Sequence, residues 1–414
     1  MIKKADIQFR LKKMKGNKLR KIIVCSLFCS LAFANNLEIL QKDKKELRQL
    51  DKKSIESNYE SNKNDWISPI NLSSGLSRNH SFSTESDKFS KSVSIGFTQS
   101  IYQSGGIEFT IQYAKDQLNY DLLTWENENA QLLESIYDTL LEIRKIKIQI
   151  EQGIYKLASK EIELNIKKIQ YEAGDTDIVE LNNALMSKNT QIKENISLEN
   201  SLKDKIFELS KYTDLKYDEI EIIDFNNVSK EDYVSKNIEY LVEDARVEML
   251  NTNYKKTKTN YLPKVSLGLN GSYSNIDDLI KNTKNEDETS GSASLTLSVP
   301  LYDYNKTSKL EDAKLEYLKQ KSSANDLKNE LAYEYEQIIN QIDTYKKQNK
   351  IIEDNIELYD DLITANRVSN DAGMTSAYDL EVLENTKKVN EYDLQINEIN
   401  IKLQFSKLYF KIKG

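Results

Sequence analysis

Two stretches of the chain alternate apolar with small polar residues at a period of two, and they stand 200 positions apart: "SVSIGFTQSIYQSG" from Ser92 and "SASLTLSVPLYDYN" from Ser292. Val265, Leu267, Leu269, Gly271 and Tyr273 alternate in the same way behind Pro263, and Pro69 opens a fourth such stretch, "PINLSSGLS". Period-two alternation predicts strands, here four of them, each about 9 to 11 residues long. Elsewhere the period is seven. From Leu310 every seventh residue is apolar, through Tyr317, Ala324, Leu331, Ile338, Tyr345, Ile352 and Tyr359. Ile136, Ile143, Ile150, Leu157, Leu164 and Tyr171 keep the same step, and so do Val382, Val389, Ile396, Leu403 and Phe410. A sustained heptad predicts long helices packed as left-handed coils.

The pattern is written twice. Ala173, Gly174, Thr176, Glu180 and Leu181 of "YEAGDTDIVEL" fall on Ala372, Gly373, Thr375, Asp379 and Leu380 at an offset of 199, and Pro69 answers Pro263. Internal repetition of this kind marks duplication, dividing the chain into a first repeat at 35–235 and a second at 236–414. Each repeat begins with a helix, Leu37 to about Lys63 or Asn237 to about Asn260. Two strands, a very long helix and a returning helix follow. The rod from Ile107 to about Tyr171 would be roughly 95 Å long at 1.5 Å per residue. Its return from Asp175 to about Tyr212 is shorter, so each rod is expected to face two helices stacked end to end, with the irregular "DLKYDEIEIIDFNNVSKEDYV" forming a small mixed patch at mid-height. Prolines at 69, 263 and 300 alone leave proline-free runs of 193 and 114 residues for these helices.

A strand with one apolar face and one face of Ser, Thr and Asn suits either a half-buried soluble sheet or a membrane β-barrel. The N-terminus favours the membrane. Lys18, Arg20 and Lys21 precede the 13-residue apolar run "IIVCSLFCSLAFA", which closes on Ala32-Phe33-Ala34, the layout of a cleavable signal over residues 1–34. The run is too short to span a bilayer, and Met14 offers a start of more usual length than Met1. Both cysteines, Cys25 and Cys29, lie inside it, so the mature chain has no thiol for disulfides, metal binding or nucleophilic chemistry. Without the leader 49 basic residues face 65 acidic ones, a net charge of −16 that repels nucleic acid. Four strands cannot close a barrel alone, because lipid tolerates no free edge and the smallest barrels need about eight strands. Several chains must share one.

The duplicated order of helix, "LPKV" strand, "LSVPLYDYNK" strand, long helix and "AG.T....L" turn resembles the TolC family of outer-membrane channel-tunnels over essentially the whole mature chain. The resemblance implies a homotrimer in the Gram-negative outer membrane, extending into the periplasm: a 12-stranded β-barrel, four strands per chain, continued by an α-barrel of long antiparallel coiled helices. It implies a passive exit duct for a tripartite efflux pump or type I secretion system, with outer-membrane lipid, a periplasmic adaptor and an inner-membrane pump or ABC transporter as partners, and no enzyme activity or cofactor. Gly174, Thr176, Gly373 and Thr375 then belong to turns at the periplasmic aperture. Glu180 and Asp379 match positions where the family places aperture carboxylates, which favour cations in a narrow passage; acids at a helix N-terminus, where they meet the dipole, are the other reading. Thr375 stands where some relatives carry a basic gating residue, so a closing salt bridge is not expected there.

Pro69, Pro263, Pro300, Gly105 and Gly106 are assigned to the barrel-to-tunnel junction, and Tyr102, Tyr302 and Tyr304 to an interfacial aromatic girdle. "QSGGIE" at Gln103–Glu108 lacks the lysine of a phosphate loop. His80, the sole histidine, is expected in a solvated extracellular loop. A non-transporting outer-membrane coiled-coil stalk is the rival architecture, and it would need helices running in one direction only.

Overall fold

The heptad and the alternation both become regular structure. In the computed structural model, which describes residues 37–225, 227–280 and 283–412, the first repeat contributes α1 (Lys42–Asn62), β1 (Asn71–Ser81), β2 (Ser86–Tyr102), α2 (Gly106–Ala173) and α3 (Ile178–Leu209). The short α4 (Lys230–Ser235) precedes the second repeat: α5 (Ile238–Thr259), β3 (Lys264–Asp278), β4 (Thr283–Ser298), α6 (Lys306–Asp371) and α7 (Ala377–Phe410). The leader expected at 1–34, with Met1, Met14, Cys25 and Cys29, lies outside the described residues. The 68 residues of α2 and 66 of α6 make helices about 100 Å long. Among the described residues no helix is long and apolar enough to cross a membrane.

At 11 residues β1 keeps to the 9–11 expected, whereas β2, β3 and β4 exceed it at 17, 15 and 16 residues. Hydropathy alternates only where one face is apolar, whereas the ladder continues past that band through mostly polar stretches such as Ser86–Ser90, where Phe89 is the one apolar residue and alternation cannot tell a strand from a loop. His80 is part of this extension: it lies in β1 rather than in a loop, opposite Asp87 in the register, with Nδ1 3.8 Å from the Asp87 carboxylate and its ring edge-on to Phe82 at 4.5 Å.

Contacts divide the described chain into two units, each drawing on both repeats: residues to Gln49 with Glu126–Tyr240 and the chain from Lys328, and Leu50–Trp125 with Leu241–Leu327. The second unit holds one antiparallel sheet in the order β1-β2-β3-β4. Beside it Thr252 donates to Asp116 at 2.6 Å, and Lys256 covers the Tyr113 ring at 4.7 Å, tying α5 to α2.

The first unit has its core where α2 passes the mid-chain patch. Leu133, Ile136, Tyr137, Leu140 and Ile143, spaced by three and four, bury one helical face against Leu40, Leu209, Ile220 and Phe410. The patch is turns plus the six-residue α4, which Ser229 caps by accepting from the Asp232 amide. It contributes Phe225, packed on both Tyr137 and Phe410. Each of these apolar side chains adds about 1.5–3 kcal/mol when fully buried. The expected stripe of α6 is likewise its covered face: Ala324, Leu331 and Ile338 are buried, and Tyr317, Tyr345, Ile352 and Tyr359 half-buried.

Candidate functional site

The sheet divides its two faces by chemistry. Register places Leu72, Ile95, Gly271 and Gly291 in one row, with Phe97, Leu269 and Ala293, then Leu267 and Leu295, in the rows below on the same face. The opposite face is hydroxyl-lined. Ser73, Ser94, Ser272 and Ser290 form a single row across all four strands, joined in pairs by 2.8 Å hydrogen bonds. The apolar face is bare in one chain: Leu72 is 74% and Leu295 69% exposed. Both outer strands, β1 and β4, have a free edge.

The three prolines lie at the sheet's rim. Pro263 immediately precedes β3, Pro69 stands two residues before β1, and Pro300 follows β4. Such positions suit a residue with no amide hydrogen to give to the ladder. Between β2 and α2, Ser104 and Gly105 both take positive φ, and Ser104 donates to the Pro263 carbonyl at 2.6 Å. A Cβ on Gly106 would come within about 3.0 Å of Gln103 and Thr259, so the chain packs tightly where strand becomes helix. Tyr102 ends β2. Tyr302 and Tyr304 lie beyond the end of β4, both 84% exposed beside Leu301 at 93%.

At the far end of the helical hairpins the two turns repeat the same geometry. Gly174 and Gly373 adopt φ of +82° and +71°. In each turn the glycine amide donates three residues back and the next amide five residues back: Gly174 to Tyr171 and Asp175 to Gln170, then Gly373 to Asn370 and Met374 to Ser369. This is the Schellman termination, which needs a left-handed residue. The following helices are capped by their own sequence. Asp177 accepts from the Glu180 amide at 3.0 Å. Ser376 and Asp379 form a reciprocal capping box, with the Ser376 amide donating to Asp379 Oδ2 at 3.2 Å.

Glu180 and Asp379 are both exposed. Glu180 lies 3.9 Å from Lys167 of α2. Thr375 folds back on α6 through the Asn366 carbonyl, and its own carbonyl accepts from Asn370 Nδ2 at 3.2 Å. Thr176, the equivalent in the first turn, is also half-buried. Residues 172–180 carry Glu172, Asp175, Asp177 and Glu180, residues 371–381 carry Asp371, Asp379 and Glu381, and neither stretch holds a Lys or Arg. Seven carboxylates therefore mark these two turns, with Glu180 alone of them beside a lysine, Lys167 of α2.

The structure adds residues that sequence reading passed over. Arg367, near the end of α6, is held by Glu384 of α7 at 2.9 Å. Lys188 bridges to Glu161 at 2.9 Å, and Lys387 to Asp360 in the other hairpin, the same pair at an offset of 199. A charge search restricted to the repeat offset would have found it. Among the described residues no group of His, Cys, Asp or Glu is arranged to hold a metal.

Comparison with known proteins agrees with the geometry. Residues 239–404 match the family model described as outer membrane efflux protein. No curated protein matches by sequence. Among solved structures, the outer membrane protein VceC from Vibrio cholerae is 11% identical, with 93% of this chain and 97% of that chain covered at a TM-score of 0.71. The open-state outer membrane channel MtrE of Neisseria gonorrhoeae (12% identical; 93% and 89% covered; TM-score 0.67) and the outer membrane channel CmeC of Campylobacter jejuni (13% identical; 91% and 84% covered; TM-score 0.66) share the fold as well. The likeness read from the motifs thus has beside it a family model over residues 239–404 and a fold shared with outer-membrane channels.

Proposed function

We infer, from a chain whose residues 239–404 carry the outer membrane efflux protein pattern and whose fold is that of outer-membrane channels, that it is the protomer of an outer-membrane efflux duct. The observation that carries this reading is the sheet, with an apolar face, a hydroxyl face and two free edges. In lipid an unpaired edge costs several kcal/mol per unsatisfied group, so the sheet is completed by other copies. Three copies supply 12 strands, within the size range of closed barrels. The Leu72–Leu297 face meets lipid and the serine rows line water. Tyr102, Tyr302 and Tyr304 sit at the membrane interface, and the helical hairpins extend into the periplasm of a Gram-negative envelope.

The duct is passive. An inner-membrane pump or ABC transporter supplies energy and a periplasmic adaptor joins the two, in an efflux or type I secretion assembly. A stalk is disfavoured by the turns at Gly174 and Gly373, from which each long helix returns.

The seven turn carboxylates are placed at the periplasmic aperture, with Glu180 and Asp379 facing the passage. Planar-bilayer recordings across a KCl gradient test both levels of this reading. The wild-type protein conducts with cation preference. Asp379→Asn retains an oxygen for the capping box and removes the charge, so with Glu180→Gln it shifts the reversal potential toward zero while leaving the melting temperature in place. Absence of conductance rejects the duct; unchanged selectivity in the double variant rejects the aperture assignment alone.

A further inference from the structure

Within the first unit, the last turn of α7 is seated among ionisable groups from four other helices. Glu134 and Asp138 lie one turn apart on α2 and share a face. Asp138 accepts from Ser406 Oγ of α7 at 2.8 Å. Lys411, the residue that caps α7, places Nζ 2.9 Å from Glu334 of α6 and 3.7 Å from Glu239 of α5. The fully buried Tyr233 of α4 donates to the other oxygen of Glu334 at 3.1 Å. Backbone joins as well: the Lys411 carbonyl accepts from the Ile238 amide at 2.8 Å, and Asn237 bridges to Ile412. Asn237 is fully buried and its Nδ2 has no partner.

The charges do not balance. Glu134, Asp138, Glu239 and Glu334 face Lys407 and Lys411, four acids against two bases, while Glu142, one turn beyond Asp138, is held by Lys205 of α3. Burial, reinforced by Asp138 and Glu239 and opposed by Lys411 and Lys407, lifts the Glu134 carboxyl to about 7. Burial raises Asp138 too, against the Ser406 hydrogen bond and Lys407. Lys411 is disfavoured by burial, yet its bond to Glu334 and the charges of Glu239, Glu334 and Glu134 hold it above the usual lysine range.

We propose that this cluster is a proton-operated clasp: a proton on Glu134 lets the end of α7 seat among α2, α5 and α6, and its loss slackens that seat. α7 carries Asp379 at its other end, so the clasp fixes the anchor of a helix whose far end forms a hairpin turn. The inference concerns the protomer and stands whether or not the chain conducts. For the sign, Glu134 is raised when clasped and ordinary when released. The clasped state therefore binds the extra proton between pH 4.5 and 7, and raising the pH through that window favours release.

Hydrogen exchange of the amides of residues 406–412 in the full-length protein, corrected for intrinsic exchange, reads the clasp directly. Protection is expected to fall about tenfold per pH unit from pH 5.5 to 7 and to level above it, the slope of one linked proton. Glu134→Gln holds protection high and flat, and removes an infrared protonated-carboxyl band that titrates in the wild type. Glu239→Gln, which keeps Glu134, moves the midpoint down and serves if the first variant fails to fold. Flat wild-type protection, an unaltered titration in Glu134→Gln, or a titrating band with no change in exchange each overturns the clasp.

Discussion

At the scale of single residues, the two turn glycines were legible because only one residue type suits the position. Gly174 and Gly373 stood at matching places in the repeat, and both have positive φ with open space where a Cβ would be. A substitution there is penalised by backbone conformation and by nothing else. Gly373→Ala is expected to cost about 1 kcal/mol and Gly373→Asn less, since Asn tolerates the left-handed region better; thermal unfolding of the two variants side by side measures the difference. Equal costs would place the glycine's role in packing instead. Glu134 was illegible for the opposite reason. The charges that act on it from elsewhere in the chain are residues 239, 407 and 411, and nothing local in the sequence announces that they meet.

Among elements, helices were read nearly to their ends, because a heptad continues for as long as the helix has a neighbour. Strand ends were not, because β2 runs on through Ser86–Ser90 beyond its apolar band. Contacts between rods needed the structure. Gln152, buried on α2, donates from one amide nitrogen to the Val389 carbonyl and to Asp393 Oδ1, at 2.9 and 2.7 Å. At the next residue, Gly153 admits Asn195 of α3, which donates to the Gly153 carbonyl at 3.2 Å. A polar layer within an otherwise apolar seam fixes register. Gln152→Ala leaves Asp393 without this donor and is expected to cost about 1–3 kcal/mol, read as a lower melting temperature. Lys188→Ala breaks a half-exposed ion pair and is expected to cost less than about 1 kcal/mol. Reversal of that order would mean that the ion pairs, not the polar layer, hold the hairpins in register.

For the whole molecule, the decisive feature is how much apolar surface one chain leaves uncovered. α6 carries a second stripe beside its covered one: Ile351 is 61% and Leu358 55% exposed, seven residues apart, while their neighbours Ile352 and Tyr359 are half-buried. A helix with two adjacent heptad stripes has two helical neighbours, and within a single chain one of them is missing. The bare edges of β1 and β4 make the same demand of the sheet. Closing a ring of identical copies satisfies both at once, since a head-to-tail contact that closes leaves nothing unpaired. Replacing Ile351 and Leu358 together by Glu removes two apolar side chains from each interface, about 3–6 kcal/mol per interface at 1.5–3 kcal/mol each. Light scattering in detergent should then find monomers at dilutions where the wild type remains three chains, with helical circular dichroism unchanged. A variant that still holds three chains on dilution would move the subunit contact away from this stripe, leaving the two sheet edges as the seam to which the same dilution test applies next.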